Sequence, residues 1–191
     1  MKKIIYTTML LFVIFTVANA QGPDFRAFNW GTSFNQVQYG ESAALIKNID
    51  NDELLYKDVL GGFNCEVAFI FNENKKLESG MYIFTKTYRN PQLYVEDYYI
   101  FKKLLTTRYG NPLAENEVWS NNVKPYDKYD FGQAVANDKL YLNTVWKTNR
   151  SQIKLSLTNN NGRPTMEIQY TALSMNELLN MDIINQALKK L

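Results

Sequence analysis

Histidine is absent from this sequence, and cysteine occurs once. Without histidine the chain cannot assemble a Ser-His-Asp triad, a Cys-His dyad, a histidine-ligated zinc site or a histidine proton relay. The single cysteine, Cys65, cannot form an intrachain disulfide, so the fold must be held together by its core. Cys65 lies in NCEVAFIF, whose alternation is typical of a strand, and we expect a buried thiol rather than a reactive one.

The sequence also lacks a convincing catalytic motif. Ser151 and Lys154 match the S-x-x-K motif of penicillin-recognising enzymes, which needs a helix that places both side chains on one face. The segment SQIKLSLT instead alternates with a period of two and predicts a strand, in which residues three apart point to opposite faces. Glu115 and Glu117 flank a predicted turn without a cleft partner, and no glycine-rich phosphate loop or calcium-loop spacing occurs.

These absences predict a protein that is not an enzyme, with no catalytic residues, no cofactor and no bound metal. The remaining enzymatic alternative is a chain that uses carboxylates or Lys and Tyr, such as a glycosidase. That alternative needs two carboxylates facing each other across a cleft, and the sequence shows no marked acidic pair at strand ends.

The first 20 residues, MKKIIYTTMLLFVIFTVANA, have the three parts of a secretory signal peptide: a positive start, an apolar run and a small-x-small cleavage site. Cleavage is predicted between Ala20 and Gln21. The alternative, a membrane anchor, is disfavoured because the apolar run is shorter than the roughly 20 residues that span a bilayer. No cysteine lies near the cleavage site and no later segment is long and apolar. We therefore expect no lipid anchor, no transmembrane segment after cleavage, and a periplasmic or secreted location.

Without the predicted signal peptide, the chain has no excess of basic or acidic residues. The whole chain has 21 basic and 19 acidic residues, and the predicted signal peptide carries two lysines and no acid, so the remainder has 19 of each. A balanced chain without a basic block argues against nucleic-acid binding. It argues equally against electrostatic attachment to anionic lipid.

Residues 21–89 are predicted to form a first αβββ unit. Ser33 and Gln36 make a capping box, which predicts a helix from residue 34 to about residue 46. The segment ELLYKDVLGG predicts a short strand, and NCEVAFIFNENKKLESGMYIFT predicts a hairpin.

Residues 90–173 are predicted to form a second αβββ unit. Asn90 and Pro91 open the strongest helical pattern, which ends at Gly110. Its predicted apolar face consists of Tyr94, Tyr98, Phe101, Leu104 and Leu105. The strands EVWSNN, KLYLNTVWKT, QIKLSLTN and TMEIQYTAL follow, and a loop insert at residues 120–133 interrupts them.

Residues 174–191 predict a C-terminal helix, because Ser174 and Glu177 form a capping box before a wide apolar arc. This helix either packs on the protein's own sheet or docks on a partner. The fold class predicted for the whole chain is α+β, with antiparallel sheet or sheets and helices packed on one face. The order of elements is compatible with a tandem αβββ duplication, although the identity between the halves is too low to prove one.

Short motifs in both halves resemble a known module. WGTS at residues 30–33 leads into a helix with Val37, and YGNP at residues 109–112 is followed by Trp119. This order resembles the αβββ modules of the BamE (SmpA/OmlA) type and their tandem version in β-lactamase inhibitor proteins, over residues 25 to 171. The chain is also similar to exported proteins of Bacteroidetes-type bacteria in its aromatic and asparagine-rich character.

The resemblance implies a non-enzymatic envelope protein that binds other proteins through sheet and loop surfaces. Assembly factors of this type are lipoproteins, whereas this chain has no lipid-attachment cysteine. From the residues themselves, the loop insert is the candidate partner-binding site, because it combines aromatic and basic side chains. The candidate residues are Lys124, Tyr126, Lys128 and Tyr129, with Phe131 beside them.

Two functions follow as expectations. The first is an exported protein-interaction module whose partner is another envelope protein. The alternative is a carbohydrate- or lipid-binding periplasmic protein, in which Trp30, Trp119 and Trp146 stack on a sugar or line an apolar groove. Tryptophans that point outward along one sheet face would favour this alternative, and tryptophans buried between helix and sheet would remove its basis.

Overall fold

The computed structural model describes residues 22–120 and 130–174, together with Glu177 and Gln186. The predicted signal peptide, the cleavage site between Ala20 and Gln21, and most of the predicted C-terminal helix lie outside these residues. The described helices are α1 (Phe34–Gly40), α2 (Gln92–Tyr109) and α3 (Phe131–Ala136). The described strands are β1 (Ala44–Ile49), β2 (Glu53–Leu60), β3 (Phe63–Phe71), β4 (Leu77–Phe84), β5 (Ala114–Trp119), β6 (Leu140–Lys147), β7 (Ser151–Asn160) and β8 (Arg163–Ala172).

The eight strands form a sheet in the order β1-β2-β3-β4-β8-β7-β6-β5. Every neighbouring pair is antiparallel. Strands β1 to β4 make one meander and β5 to β8 another, and the two meanders join where β4 pairs with β8. The predicted α+β class with an antiparallel sheet is therefore confirmed.

One face of the sheet, which we call the core face, carries most of the buried side chains. Along β3 these are Cys65, Val67, Phe69 and Phe71, and the residues that alternate with them lie on the other side. The ring of Phe34 in α1 lies 5.0 Å from that of Phe71, which is on this face. In α2, the ring of Phe101 lies 4.5 Å from that of Phe84 in β4, and the hydroxyl of Tyr98 hydrogen-bonds that of Thr144 in β6 at 2.7 Å.

Helix α1 begins as predicted but ends early. The backbone N–H of Ser33 donates to the Gln36 side chain at 3.1 Å, which is half of the expected capping box. The predicted extension to residue 46 is wrong, because the helix stops at Gly40 and residues 44–49 pair with β2 as strand β1. Glu41 takes an extended conformation, and its carboxylate accepts hydrogen bonds from Arg26 and from the N–H of Ala43.

Helix α2 agrees closely with its prediction. The side chain of Asn90 accepts a hydrogen bond from the N–H of Gln92 at 3.1 Å, and Gly110 ends the helix with φ of 83°. Tyr94, Tyr98, Phe101 and Leu105 are buried. Leu104, predicted on the same face, is 54% exposed, because the buried stripe is narrower than the apolar pattern in the sequence.

Helix α3 replaces the end of the predicted loop insert. Residues 131–133 belong to this helix rather than to a loop, and Phe131 is only 3% exposed. Its ring packs against Trp119 with 5.6 Å between ring centroids. The N–H of Gly132 donates to the side chain of Gln92 at 2.9 Å, so tertiary contact with α2 holds a segment whose local pattern is too short to predict a helix.

An ion-pair network stabilises the turn after α1. The guanidinium of Arg26 binds Glu41 at 2.8 Å and Asp58 at 2.7 Å, and the Glu41 side chain is 3% exposed. These contacts, with a hydrogen bond from the N–H of Val59, outweigh burial and lower the pKa of Asp58. Because both oxygens of Glu41 receive hydrogen bonds from Arg26, the carboxylate is the centre of the network.

We expect Glu41→Gln to lower the free energy of unfolding by about 2 kcal/mol, because it weakens charge-assisted hydrogen bonds to a partly buried arginine. Urea denaturation followed by far-UV circular dichroism measures this change. The matched control is Glu73→Gln, which alters an exposed carboxylate in the β3–β4 turn and should leave the midpoint unchanged. Equal stability of Glu41→Gln and the unsubstituted protein would contradict the role given to this network.

Candidate functional site

The loop that the sequence analysis favoured as the binding site lies outside the described residues. Lys124, Tyr126, Lys128 and Tyr129 all fall in residues 121–129, between β5 and α3. Their assignment as partner contacts therefore remains a prediction. Phe131, which was grouped with them, is buried against Trp119 and does not belong to an exposed recognition surface.

The three tryptophans make internal contacts. Trp146 is fully buried, and its indole N–H donates to the carbonyl of Gly110 at 3.2 Å. The indole N–H of Trp30 donates to the hydroxyl of Ser151 at 2.9 Å, and Trp30 packs against the core. Trp119 is partly buried against Phe131. These contacts do not form an exposed stacking platform from the three rings, and the carbohydrate alternative remains a prediction.

The S-x-x-K lookalike is part of a strand, as its alternation predicts. Ser151 is 3% exposed on the core face, where its hydroxyl accepts the hydrogen bond from Trp30. Lys154 lies on the opposite face of β7. Glu115 forms an ion pair with Lys102 at 2.5 Å. No residue of this pattern is placed to activate the serine.

Cys65 is 1% exposed in the core face, as predicted, and burial raises the pKa of its thiol. A thiol that is both shielded and protonated reacts slowly with disulfide reagents. We expect negligible reaction with Ellman's reagent in the folded protein and complete reaction in 6 M guanidinium chloride. Labelling of the folded protein at the rate of a free thiol would show that Cys65 becomes exposed to solvent readily.

The described part of the chain contains no cluster of three or more histidine, cysteine or acidic residues that could hold a metal ion. Within the same residues, no helix combines the length and apolarity required for a membrane crossing. A cavity of about 110 Å³ lies beside the start of the described chain, lined by Asp24, Arg108, Tyr109 and Tyr170 among others. Its volume is below the roughly 300 Å³ of small-molecule pockets.

The second face of the sheet, opposite the core face, has a distinctive composition. The residue pairs between neighbouring strands arrange the side chains of this face in rows that cross the sheet. One row runs through Leu55, Ala68, Met81, Gln169, Lys154 and Val145. A second runs through Ile70, Ser79, Thr171, Gln152 and Lys147, and a third through Glu66, Ile83, Glu167, Ser156 and Asn143.

The second face is divided by composition. Strands β2, β3 and β4 contribute an apolar strip, which consists of Leu55, Ala68, Ile70, Met81 and Ile83. Strands β8 and β7 contribute polar side chains, and β6 adds Tyr141 and Val145. Apart from Ala68, which is buried, the members of the apolar strip are partly buried. An apolar strip beside a hydrogen-bonding area has the mixed composition of a protein interface.

Glu167 lies near the middle of this face, between Ile83 of β4 and Ser156 of β7. Partial burial raises the pKa of its carboxyl group, although the nearby charge of Lys154 lowers it. Lys154 also lies over the ring of Tyr141, with its Nζ 5.6 Å from the ring centroid. The oxygens of this half-buried carboxyl group can accept a hydrogen bond from a donor on a bound molecule.

No family model, curated protein or solved structure matches this chain. The resemblance to the BamE-type and inhibitor-type modules therefore remains a prediction from short motifs, and no binding residue transfers from it.

Proposed function

We propose that this protein is an exported, non-enzymatic interaction module of a bacterial envelope, which binds another protein on the second face of its sheet. The observation that carries the proposal is this broad face, which bears an apolar strip beside polar strands. Export rests on the signal-peptide pattern of the first 20 residues.

The proposal includes the arrangement in which all three helices pack on the core face. Phe34 of α1 contacts Phe71, Phe101 of α2 contacts Phe84, and α3 contacts β6 and β7. An antiparallel sheet whose described helices lie on one side can present its other side to a partner. Eight strands at about 4.8 Å spacing make this face about 34 Å wide, which accommodates the roughly 800 Å² that one partner buries in a standard interface.

The two meanders also support a tandem organisation. Each begins with a helix and contains four strands, α1 with β1–β4 and α2 with β5–β8, and their last strands pair at the centre of the sheet; the second unit also contains α3 between β5 and β6. The first unit is one strand longer than the predicted αβββ unit, because the predicted helix extended to about residue 46 and so included the start of β1. A duplicated module whose strands form a common sheet offers a larger surface than either half alone.

Protein is favoured over carbohydrate as the bound molecule. Sugar-binding surfaces use exposed aromatic rings, whereas the tryptophans of this chain are held in internal contacts and the apolar strip is aliphatic. The loop residues Lys124, Tyr126, Lys128 and Tyr129 are proposed as additional partner contacts at the β5 side.

The test is capture from envelope extract with the mature protein and three matched variants. Met81→Arg places a charge in the apolar strip, and Leu104→Arg places the same charge on an exposed position of α2. A third variant combines Tyr126→Ala and Tyr129→Ala. We expect a specific partner that is reduced at least tenfold by Met81→Arg and retained by Leu104→Arg, with circular dichroism showing that all variants are folded.

A partner captured equally by Met81→Arg and Leu104→Arg would contradict the second face as the binding site. Loss in the double tyrosine variant alone would place the site in the loop. No specific protein with any form would overturn the interaction function, and glycan and lipid arrays would then be the appropriate screen.

A further inference from the structure

The two meanders separate at one end of the sheet. Strands β4 and β8 pair as far as Ile83 and Glu167. Beyond that pair both strands continue apart: Phe84 still pairs with β3, and residues 163–166 still pair with β7. A cleft of about 420 Å³, which we call the seam cleft, lies between the separated strands. Its volume falls in the range of ligand-binding pockets, roughly 300–1,000 Å³.

Pro164 keeps the two strands from pairing again further along. Asn160 pairs with Arg163 around the two-residue turn at 161–162, so the backbone groups of Arg163 face β7. Because successive residues of a strand alternate in direction, the backbone of Pro164 faces the β4 side. Proline has no N–H to donate there. Its carbonyl faces the seam cleft as an acceptor for the N–H of a bound chain.

The seam cleft has a cationic lining. Of the described residues that line it, two are charged, Lys86 and Arg163, and both are cations. Neither forms an ion pair with another described residue. The side chains of Thr87, Asn160 and Asn161 add hydrogen-bond donors. Since hydrogen bonds between charged groups are stronger than neutral ones, this lining suits a carboxylate ligand.

Aromatic rings restrict the side chain of Lys86. Its Nζ lies 4.6 Å from the ring centroid of Tyr88 and 5.5 Å from that of Phe63. The Tyr88 hydroxyl donates in turn to the carboxylate of Asp97 in α2. A cation that is already ordered loses less conformational freedom when a ligand binds.

The acidic residues at the closed end of the seam cleft have lysines of their own. Glu66 on β3 and Glu167 on β8 lie on either side of Ile83. Lys57 pairs with Glu66 across β2 and β3, and the positive charge of Lys154 acts on Glu167. The two cations of the cleft are therefore left to an outside ligand.

The position of the seam cleft favours a peptide as that ligand. Ile83 belongs both to the lining of the cleft and to the apolar strip of the second face. Arg163 is four residues from Glu167 on β8 and therefore lies on the same second face. A protein bound on this face reaches the cleft directly. An extended segment of that protein gains backbone hydrogen bonds from the carbonyl of Pro164, as in other cases of strand addition.

We propose that the seam cleft binds a carboxylate group on an extended peptide segment of the protein partner. Lys86 and Arg163 bind the carboxylate, and the backbone of β8 at Pro164 pairs with the segment. This inference rests on the proposed function, because it takes the partner to be a protein.

Peptide selection tests the site in the full mature chain. A synthetic library of random hexapeptides is offered to the immobilised protein, once with free and once with amidated C-termini, and bound peptides are identified by mass spectrometry. Enrichment with free C-termini alone would assign the site to a terminal carboxylate, and enrichment of Asp and Glu in both libraries would assign it to side-chain carboxylates. Each result supports the inference. No enrichment of carboxylates in either library would overturn it.

Substitutions then locate the bound peptide. We expect Lys86→Gln and Arg163→Gln each to raise the Kd of a selected, fluorescently labelled peptide at least fivefold. The matched control is Lys103→Gln, which removes an exposed cation from α2 and should leave the Kd unchanged. Circular dichroism verifies that all three variants are folded. Equal Kd values for the three variants would overturn the seam cleft as the site.

Capture from envelope extract separates this inference from the proposed function. We expect Arg163→Gln to reduce capture of the partner at least fivefold. A partner that is reduced by Met81→Arg and retained by Arg163→Gln would keep the interaction function and overturn the role of the cleft. Peptide binding that depends on Lys86 and Arg163, with no envelope protein captured by the unsubstituted chain, would instead contradict the proposed function and leave the carboxylate site standing.

Discussion

Phe25→Ala should lower the free energy of unfolding by about 4 kcal/mol, because it removes a buried aromatic ring and leaves a cavity. Phe25 is 1% exposed, although it lies in an irregular segment before α1. Its ring centroid lies 5.2 Å from that of Phe69, 5.3 Å from that of Tyr82 and 5.2 Å from that of Tyr170. Phe69 and Tyr82 belong to the first meander and Tyr170 to the second, so Phe25 packs across the seam between β4 and β8.

Gly80 explains how the ring fits. A Cβ at this position would lie 2.2 Å from the Phe25 ring, so the absence of a side chain on β4 creates the space that the ring fills. Alanine at position 25 leaves that space empty. Urea denaturation followed by tryptophan fluorescence measures the change. Tyr39→Ala is the matched control, because Tyr39 is 85% exposed and its loss should cost less than about 0.5 kcal/mol. Comparable effects of the two substitutions would contradict the packing described here.

Gly132→Ala should lower the free energy of unfolding by about 3 kcal/mol, because overpacking forces the backbone to shift. A Cβ on Gly132 would lie 2.3 Å from the backbone nitrogen of Gln92 and 2.4 Å from the carbonyl carbon of Pro91. Since these are backbone atoms at the start of α2, a change of rotamer cannot relieve the clash. Helix α3 would have to move away from α2 and lose the hydrogen bond between Gly132 and Gln92.

Gly22→Ala is the control for this substitution, since a Cβ on Gly22 would have no atom within 4 Å. Chemical denaturation should show little change for Gly22→Ala and a clear loss for Gly132→Ala. Hydrogen exchange should locate the loss in α3 and in the first turn of α2. Unchanged stability of Gly132→Ala would mean that α3 does not pack on α2 as closely as the structure shows.

The elements with strong local signals were predictable. Asn90, Pro91 and Gly110 bound helix α2, and the alternation of Cys65, Val67 and Phe69 identifies β3, because caps and period-two patterns act within a few residues. Apolar residues occur on both sides of β3, as suits a strand that is paired along both edges. In each case local preference and tertiary packing favour the same structure.

The wrong or missing predictions concern segments whose structure depends on tertiary contacts. Residues 44–46 were predicted as the end of a helix, yet they belong to strand β1, which pairs with β2, and Arg26 binds Glu41 in an extended conformation just before it. Helix α3 exists because Gly132 fits closely against α2. The burial of Phe25 depends on Gly80, far along the chain. None of these contacts leaves a periodic signal in the sequence.

The candidate site was missed for a related reason. The second face depends on the pairing of β4 with β8, which brings the apolar strip of one meander next to the polar strands of the other. Strand alternation predicts which residues share a face within a strand, but it does not predict which strands are neighbours. The aromatic and basic residues at positions 124–129 predicted a binding loop. The residues of the apolar strip, by contrast, have the composition of any strand.

The central claim is that the second face binds a protein partner. Its most direct test places p-benzoylphenylalanine at Gln169, in the middle of this face, and in a separate protein at Leu104 on α2, followed by irradiation in envelope extract. We predict an adduct with one specific envelope protein from position 169 and none from position 104. Adducts of equal yield from both positions, or from position 104 alone, would contradict the claim.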